Sequence, residues 1–298
     1  MEIEIAIEGP VPAISELKGR LKGFLPTIEN LQCQNGGNGD IARFVLQERV
    51  ENLDNRLLEI SRIANELEKN LLLEKRLEFR VRNLAYSEPS TGSSLFKEPF
   101  NPIPSITIQP WEPSLRQIKD RYTIIIDPHH AFGTGKHPSS RLCLRYIERF
   151  ANGELDDWRL QDRDVLDFGC GTGLLAIAAV KMGSKKAVGI EIDHQSARAA
   201  RRNVELNGLS SKIVIRQGSW EIVPEKYDLI LANLVPATLF RTGGHIPSRL
   251  IDHGKVVISG FGNNQRRDME RFFMKLGLIT KDRSDLEGWN ALLMEKAQ

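Results

Sequence analysis

The chain has 298 residues, 41% apolar and 27% charged, with 41 basic residues against 39 acidic ones and a formal net charge of +2. That length admits two domains with a sizeable core, the near-balance of charge excludes a strong general pull toward nucleic acid, and no apolar run approaches bilayer-spanning length. Cys33, Cys143 and Cys170 lack metal-ligand spacing and the chain opens MEIEIAIEGP, so reduced thiols in a cytoplasmic protein are expected rather than a secreted disulfide framework, and no metal site is expected.

Residues 2–8 alternate acidic and apolar side chains, which predicts a half-exposed strand. A short amphipathic helix is expected within 12–25, and QNGGNG at 34–39 reads as a loop. Residues 40–84 contain no proline or glycine. Within them Leu46, Val50, Leu53, Leu57, Ile60, Ala64, Leu67 and Leu71 recur at alternating steps of four and three. That spacing predicts a long helix with a heptad seam. Two readings stay open: a coiled coil pairing two copies through residues 46–71, or a helix folded onto its own domain. Residues 78–82 read as a strand. Residues 87–113 are rich in Pro, Ser and Gly and read as a linker or extended crossing segment. The expected division is a docking or dimerisation domain over 1–86, the linker over 87–113, and a second domain over 114–298.

The second domain carries the informative stretches. After a strand at 122–126, the run DPHHAFGTGKHPSS at 127–140 leads into an apolar helix. Pro138 with Ser139 and Ser140 marks a helix start, where free backbone N–H groups can meet an anion. His137 reads first as a cap and only second as a base.

Residues 165–173, VLDFGCGTG, are a short apolar run broken by Asp167, then Gly169, Gly171 and Gly173, followed by the apolar helix LLAIAAV. Glycines at a strand-to-helix turn let the main chain approach a ligand closely. A dinucleotide motif requires glycine at 174, which is Leu174 here. The spacing suits S-adenosylmethionine better than NAD. The strand at 187–190 ends in Glu191, about 20 residues past the glycines, where an acid can accept hydrogen bonds from ribose hydroxyls. Further strands are expected at 212–215, at 227–232 ending in Asn233, and at 256–259, with helices at 195–206 and 265–276 and a terminal hairpin. Ligands in open α/β sheets bind beyond the carboxyl ends of the strands, which puts Gly169, Glu191 and Asn233 on one rim.

AFGTGKHPSSRLCL at 131–144, VLDFGCGTGLLAIAAVKMG at 165–183, AVGIEID at 187–193 and the strand ending in Asn233 together resemble the ribosomal protein L11 methyltransferase family. The resemblance runs from about residue 122 to the end, some three-fifths of the chain. It implies an α/β fold, a Rossmann-like seven-stranded class I methyltransferase sheet binding S-adenosylmethionine. By position it places cofactor contacts on Phe132, Thr134, Ser140, Gly169, Gly171, Glu191 and Asn233. Ser140 stands where the family usually has threonine, and Glu191 where it usually has aspartate. The reaction implied is methyl transfer to an amine of a protein such as ribosomal protein L11, with Asn233 orienting the amine. A small-molecule acceptor on the same fold is the alternative reading, as is a non-catalytic coiled-coil interaction protein. Neither membrane nor direct nucleic-acid binding is expected.

Overall fold

The computed structural model describes residues 2–21, 34–35, 41–49, 63, 66–67, 78–83, 98–112, 122–127, 133–155 and 158–297. The chain divides into two compact units, Met1–Ser93 with Pro236–Arg241, and Ser94–Val235 with Thr242–Gln298.

In the first unit, β1 (Glu2–Pro10) leads straight into α1 (Val11–Leu21). Strands β2 (Gln34–Asn35), β3 (Ile41–Arg49) and β4 (Glu78–Asn83) complete an antiparallel sheet in the order β2-β3-β1-β4. Ala13, Ile14, Leu17 and Leu21 form one buried stripe of α1, the spacing of an amphipathic helix. Ile63, Glu66 and Leu67 are helical, so strand, helix, two strands, helical segment and strand follow in the split βαβ order.

The expected helix over 40–84 therefore does not begin where the heptad spacing placed it. Leu46 is a strand residue, paired opposite Ile5 of β1. Ile41, Phe44 and Val45 favour a pleated strand. The edge of β1 supplies nine paired positions for this segment, and that ladder outweighs a helical period. Leu67 is 1% exposed within a single chain, so this position of the seam folds inward. Val50, Leu53, Leu57, Ile60, Ala64 and Leu71 lie outside the described residues.

The second unit is built on a seven-stranded sheet. Its strands are β8 (Asp164–Phe168), β9 (Lys186–Glu191), β10 (Ile213–Gln217), β11 (Tyr227–Asn233), β12 (Leu250–Gly262), β13 (Leu278–Leu286) and β14 (Trp289–Lys296), in the order β10-β9-β8-β11-β12-β14-β13. The first five run parallel, and the terminal hairpin β13–β14 adds to β12 antiparallel. Near-continuous apolar runs such as Leu229–Ile230–Leu231–Ala232, all fully buried, suit parallel strands covered on both faces. Its helices are α2 (Pro138–Asn152), α3 (Leu174–Lys181), α4 (His194–Leu206), α6 (Ile246–Arg249) and α7 (Arg266–Lys275), while α5 (Pro236–Thr242) is counted with the first unit except for Thr242. Among the described residues no helix is long and apolar enough to cross a membrane.

Part of the stretch read as a linker is ordered sheet. Strands β5 (Phe100–Ile103) and β6 (Ile106–Pro110) form a hairpin, and β6 pairs in parallel with β7 (Thr123–Ile126). Ile106, Ile108, Ile124 and Ile126 bury in the same core cluster as the α3 residues Leu174–Val180. That cover explains why α3 has no polar face, since a helix apolar all round must be enclosed. Pro104 falls in the turn between β5 and β6 and Pro110 at the end of β6, where a missing N–H costs the ladder little.

The free side of β7 is closed by side chains. The Asn207 carboxamide donates through Nδ2 to the Ile125 carbonyl at 2.7 Å and accepts from the Ile125 N–H through Oδ1 at 3.0 Å, replacing a neighbouring strand by one amide. One turn earlier on α4, Asn203 Oδ1 accepts from the Asp127 N–H at 2.7 Å. Asn207→Ala leaves both main-chain groups of buried Ile125 unpaired, so it should cost about 2–4 kcal/mol, read as a lowered urea midpoint at unchanged slope.

Candidate functional site

The register of the parallel strands brings the three informative carboxyl ends together. Phe168 pairs beside Ile190, Asp167 beside both Gly189 and Leu231, and Asn233 beside Ser259. Gly169, Glu191 and Asn233 therefore occupy one rim.

The glycine turn after β8 is held from β9. The Ile190 carbonyl accepts from the Gly169 N–H at 2.8 Å and the Cys170 N–H at 3.0 Å. Gly169 has φ +73°, and a Cβ there would run into the Leu234 side chain, so only glycine fits. Glu191 reaches back across the same turn. Its Oε2 accepts from the Gly171 N–H at 2.9 Å and its Oε1 from the Asp193 N–H at 3.0 Å. Each oxygen has a second acceptor site in hand, so the carboxylate can receive a pair of hydroxyls while keeping the turn. Burial raises its pKa and the nearby Asp193 charge adds to the rise, while the two N–H groups oppose it.

Asp167, inside β8, is 1% exposed, and its Oδ2 accepts from the Ala176 N–H at 3.0 Å. It anchors the first turn of α3 beneath the glycines, a role that its place in an apolar run of the sequence does not disclose. Burial pushes its carboxyl up to about 7, with the Glu191 charge contributing and the Ala176 N–H opposing.

The second loop arrives from the other side. Gly133 has φ +106° and its carbonyl accepts from the Thr172 hydroxyl at 2.6 Å; a Cβ on Gly133 would stand 3.1 Å from that oxygen. Thr134 is half-buried. His137 is the N-cap of α2: its Nδ1 accepts from the Ser139 N–H at 3.2 Å, with the Ser139 hydroxyl 2.7 Å away. An accepting Nδ1 leaves the ring proton on Nε2. Burial lowers the His137 pKa and Glu287 partly offsets it; the ring meets Trp289 edge-on at 4.3 Å. The cap reading of His137 holds, but the expectation of free N–H groups at this helix start does not. The Ser139 N–H goes to the imidazole and the Ser140 N–H to the His137 carbonyl at 3.0 Å. The residue before Pro138 takes both donors, one on its ring and one on its carbonyl. Phe132 lies outside the described residues.

Ser140 itself is 2% exposed, and its hydroxyl oxygen accepts from Asn233 Nδ2 at 3.2 Å. This contact joins the end of β11 to the first turn of α2 across 93 residues of sequence. Asn233 Oδ1 is buried and, among the described residues, accepts no hydrogen bond. A buried acceptor left open at the end of a strand has capacity for a donor brought by a ligand. Behind the rim, Phe168 and Trp220 stack at 3.8 Å, a pairing that no local sequence signal announces.

The Asp167 value has a direct consequence for stability. A free aspartate titrates near 3.8 and the folded one near 7, so the folded chain holds this proton more tightly between those values. The contribution is complete below about pH 4 and is lost as pH rises through 7, at up to about 1.4 kcal/mol per pH unit. Asp167→Asn keeps an oxygen for the Ala176 N–H and removes the charge. Its unfolding free energy, relative to the parent, should rise between pH 4 and pH 7 and level off above; a flat difference would give Asp167 an ordinary carboxyl.

The family model described as ribosomal protein L11 methyltransferase matches residues 39–297. The ribosomal protein L11 methyltransferase of Shewanella sp. (strain W3-18-1) is 37% identical over 163 residues, 54% of this chain and 53% of that protein. The protein of the same name from Shewanella baltica (strain OS195) is also 37% identical over 163 residues. The chain spans about half the length of these curated relatives. The crystal structure of ribosomal protein L11 methylase from Lactobacillus delbrueckii subsp. bulgaricus is 28% identical with a TM-score of 0.59, covering 67% of this chain and 100% of that one. With the match extending over most of its length, the chain belongs to the ribosomal protein L11 methyltransferase family.

Proposed function

We propose that this chain transfers a methyl group from S-adenosylmethionine to an amine nitrogen of a protein, with ribosomal protein L11 as the first acceptor to test. The single observation that carries the reading is the unpartnered, buried Asn233 Oδ1 beside a glycine turn. An amide oxygen withheld from both water and protein is suited to accept from an incoming N–H.

The residues fit the cofactor. Bare main chain at Gly169 and Gly171 admits its amino-acid end, and the two oxygens of Glu191, already carrying Gly171 and Asp193 N–H groups, suit a ribose diol. The Ser140 hydroxyl and half-buried Thr134 offer polar contacts from the second loop. Bound there, the cofactor supplies a methyl group on an electrophilic sulfonium.

The chain's own task is alignment and exclusion of water. Ser140 accepts from Asn233 Nδ2, which fixes the amide so that Oδ1 is the atom left for the acceptor. An amine attacks through its lone pair and must arrive neutral. A buried rim lowers the pKa of an amine by desolvation, and Asn233 Oδ1 can then accept one of its N–H bonds and aim the lone pair. The names of the relatives support a ribosomal-protein acceptor, and such an acceptor would place the work in the cytoplasm.

Calorimetry with S-adenosylhomocysteine should give micromolar binding, and labelled methyl should pass from S-adenosylmethionine to purified L11. Label found only in small molecules moves the acceptor class; no cofactor binding removes the methyltransferase reading. Asn233→Ala should lower kcat on the order of 10²-fold, the usual cost of a misplaced reactant, with the thermal midpoint unchanged. Full turnover in that variant would strip Asn233 of its role.

A further inference from the structure

The glycine turn and the 133–140 loop both supply groups to the proposed cofactor site, yet they are separate in sequence. A relay of three hydrogen bonds joins them. Asp127 N–H donates to Asn203 Oδ1 at 2.7 Å; Asn203 Nδ2 donates to the Thr172 carbonyl at 2.9 Å; the Thr172 hydroxyl donates to the Gly133 carbonyl at 2.6 Å. Thr172 and Asn203 are both 0% exposed, so no water competes for these bonds. The relay grips the chain on either side of 128–132, at Asp127 and at Gly133, and both grips end on Thr172, in the middle of the glycine turn.

We propose that Thr172 and Asn203 are positioning residues that make the glycine turn and the 133–140 loop one body and thereby set cofactor affinity. The proposal rests on the methyltransferase reading of the rim. The physical ground is preorganisation: two loops held in register before binding have less freedom to lose when they close on a ligand. Thr172 is suited to the task because its carbonyl and hydroxyl face different partners. Neither bond touches Glu191 or Asn233, so alignment of the reacting groups, once the site is filled, does not depend on it.

Thr172→Val keeps the shape and removes the hydroxyl; Thr172→Ser keeps the hydroxyl. With the full chain, the valine variant should bind S-adenosylhomocysteine about tenfold more weakly by calorimetry. Its KM for S-adenosylmethionine should rise similarly while kcat stays within about twofold, and the serine variant should return to parental affinity. A merely structural threonine would lower the melting temperature without splitting KM from kcat. Thr172→Ala serves where valine strains the turn. Equal affinity in parent, valine and serine forms overturns the proposal. Amide hydrogen exchange on the ligand-free proteins separates this from the functional reading. Faster exchange over 133–140 in the valine form alone supports the relay even if the parent refuses the cofactor; equal exchange in all three overturns it whatever the parent binds.

Discussion

The Glu191 carboxylate, bonded at once to the Gly171 and Asp193 N–H groups, is the interaction on which the rim depends. It fastens the end of one strand to the turn that follows its neighbour. The Ile190 carbonyl holds the start of the turn and Glu191 holds its middle, so the three left-handed glycines are restrained from the same neighbouring strand. The arrangement has an electrostatic cost, since burial and Asp193 both work against the charge. Main-chain donors offset that cost, and the same carboxylate keeps acceptor capacity for a ligand. Structure and proposed binding thus draw on one group.

The local code explains what sequence could disclose. A strand, a glycine turn and an apolar helix are set by adjacent residues, so residues 165–180 announce their geometry without help. Glu191 and Asn233 follow because parallel strands in register align their carboxyl ends. The failures are tertiary. The heptad spacing from Leu46 is real as spacing, but β1 offers an unpaired edge, and ladder hydrogen bonds along Ile41–Arg49 settle that segment as strand. The proline-rich stretch has no periodic signal because its strands are four and five residues long, and they are placed by tertiary contacts such as the Arg141 side chain of α2 on the Pro102 carbonyl rather than by their own pattern.

That small sheet clarifies the energetics of the second unit. A helix as apolar as α3 would be a liability if one side faced water. Covered by Ile108, Ile124 and Ile126 on one side and by the main sheet on the other, it is buried along its apolar length. The glycine turn sits at the N-terminus of this enclosed helix, and Asp167 is tied to the main chain of its first turn. The rim is therefore stiff from below, where side-chain packing resists movement, and is joined to its second loop above through the Ser140–Asn233 contact.

Asn207 carries a chemical liability that follows from its neighbour. It precedes Gly208, a pairing in which an unrestrained carboxamide readily cyclises onto the next backbone nitrogen and hydrolyses to aspartate or isoaspartate. Here the carboxamide is held by the Ile125 N–H, the Ile125 carbonyl and the Asn203 carbonyl, so ring closure is slow while the fold persists. Were it to occur, the new carboxylate would lose the donor that Ile125 requires and set negative charge against that carbonyl oxygen. Storage damage to this protein would then begin at the free side of β7 and loosen the strand from α4, away from the rim that carries Glu191 and Asn233.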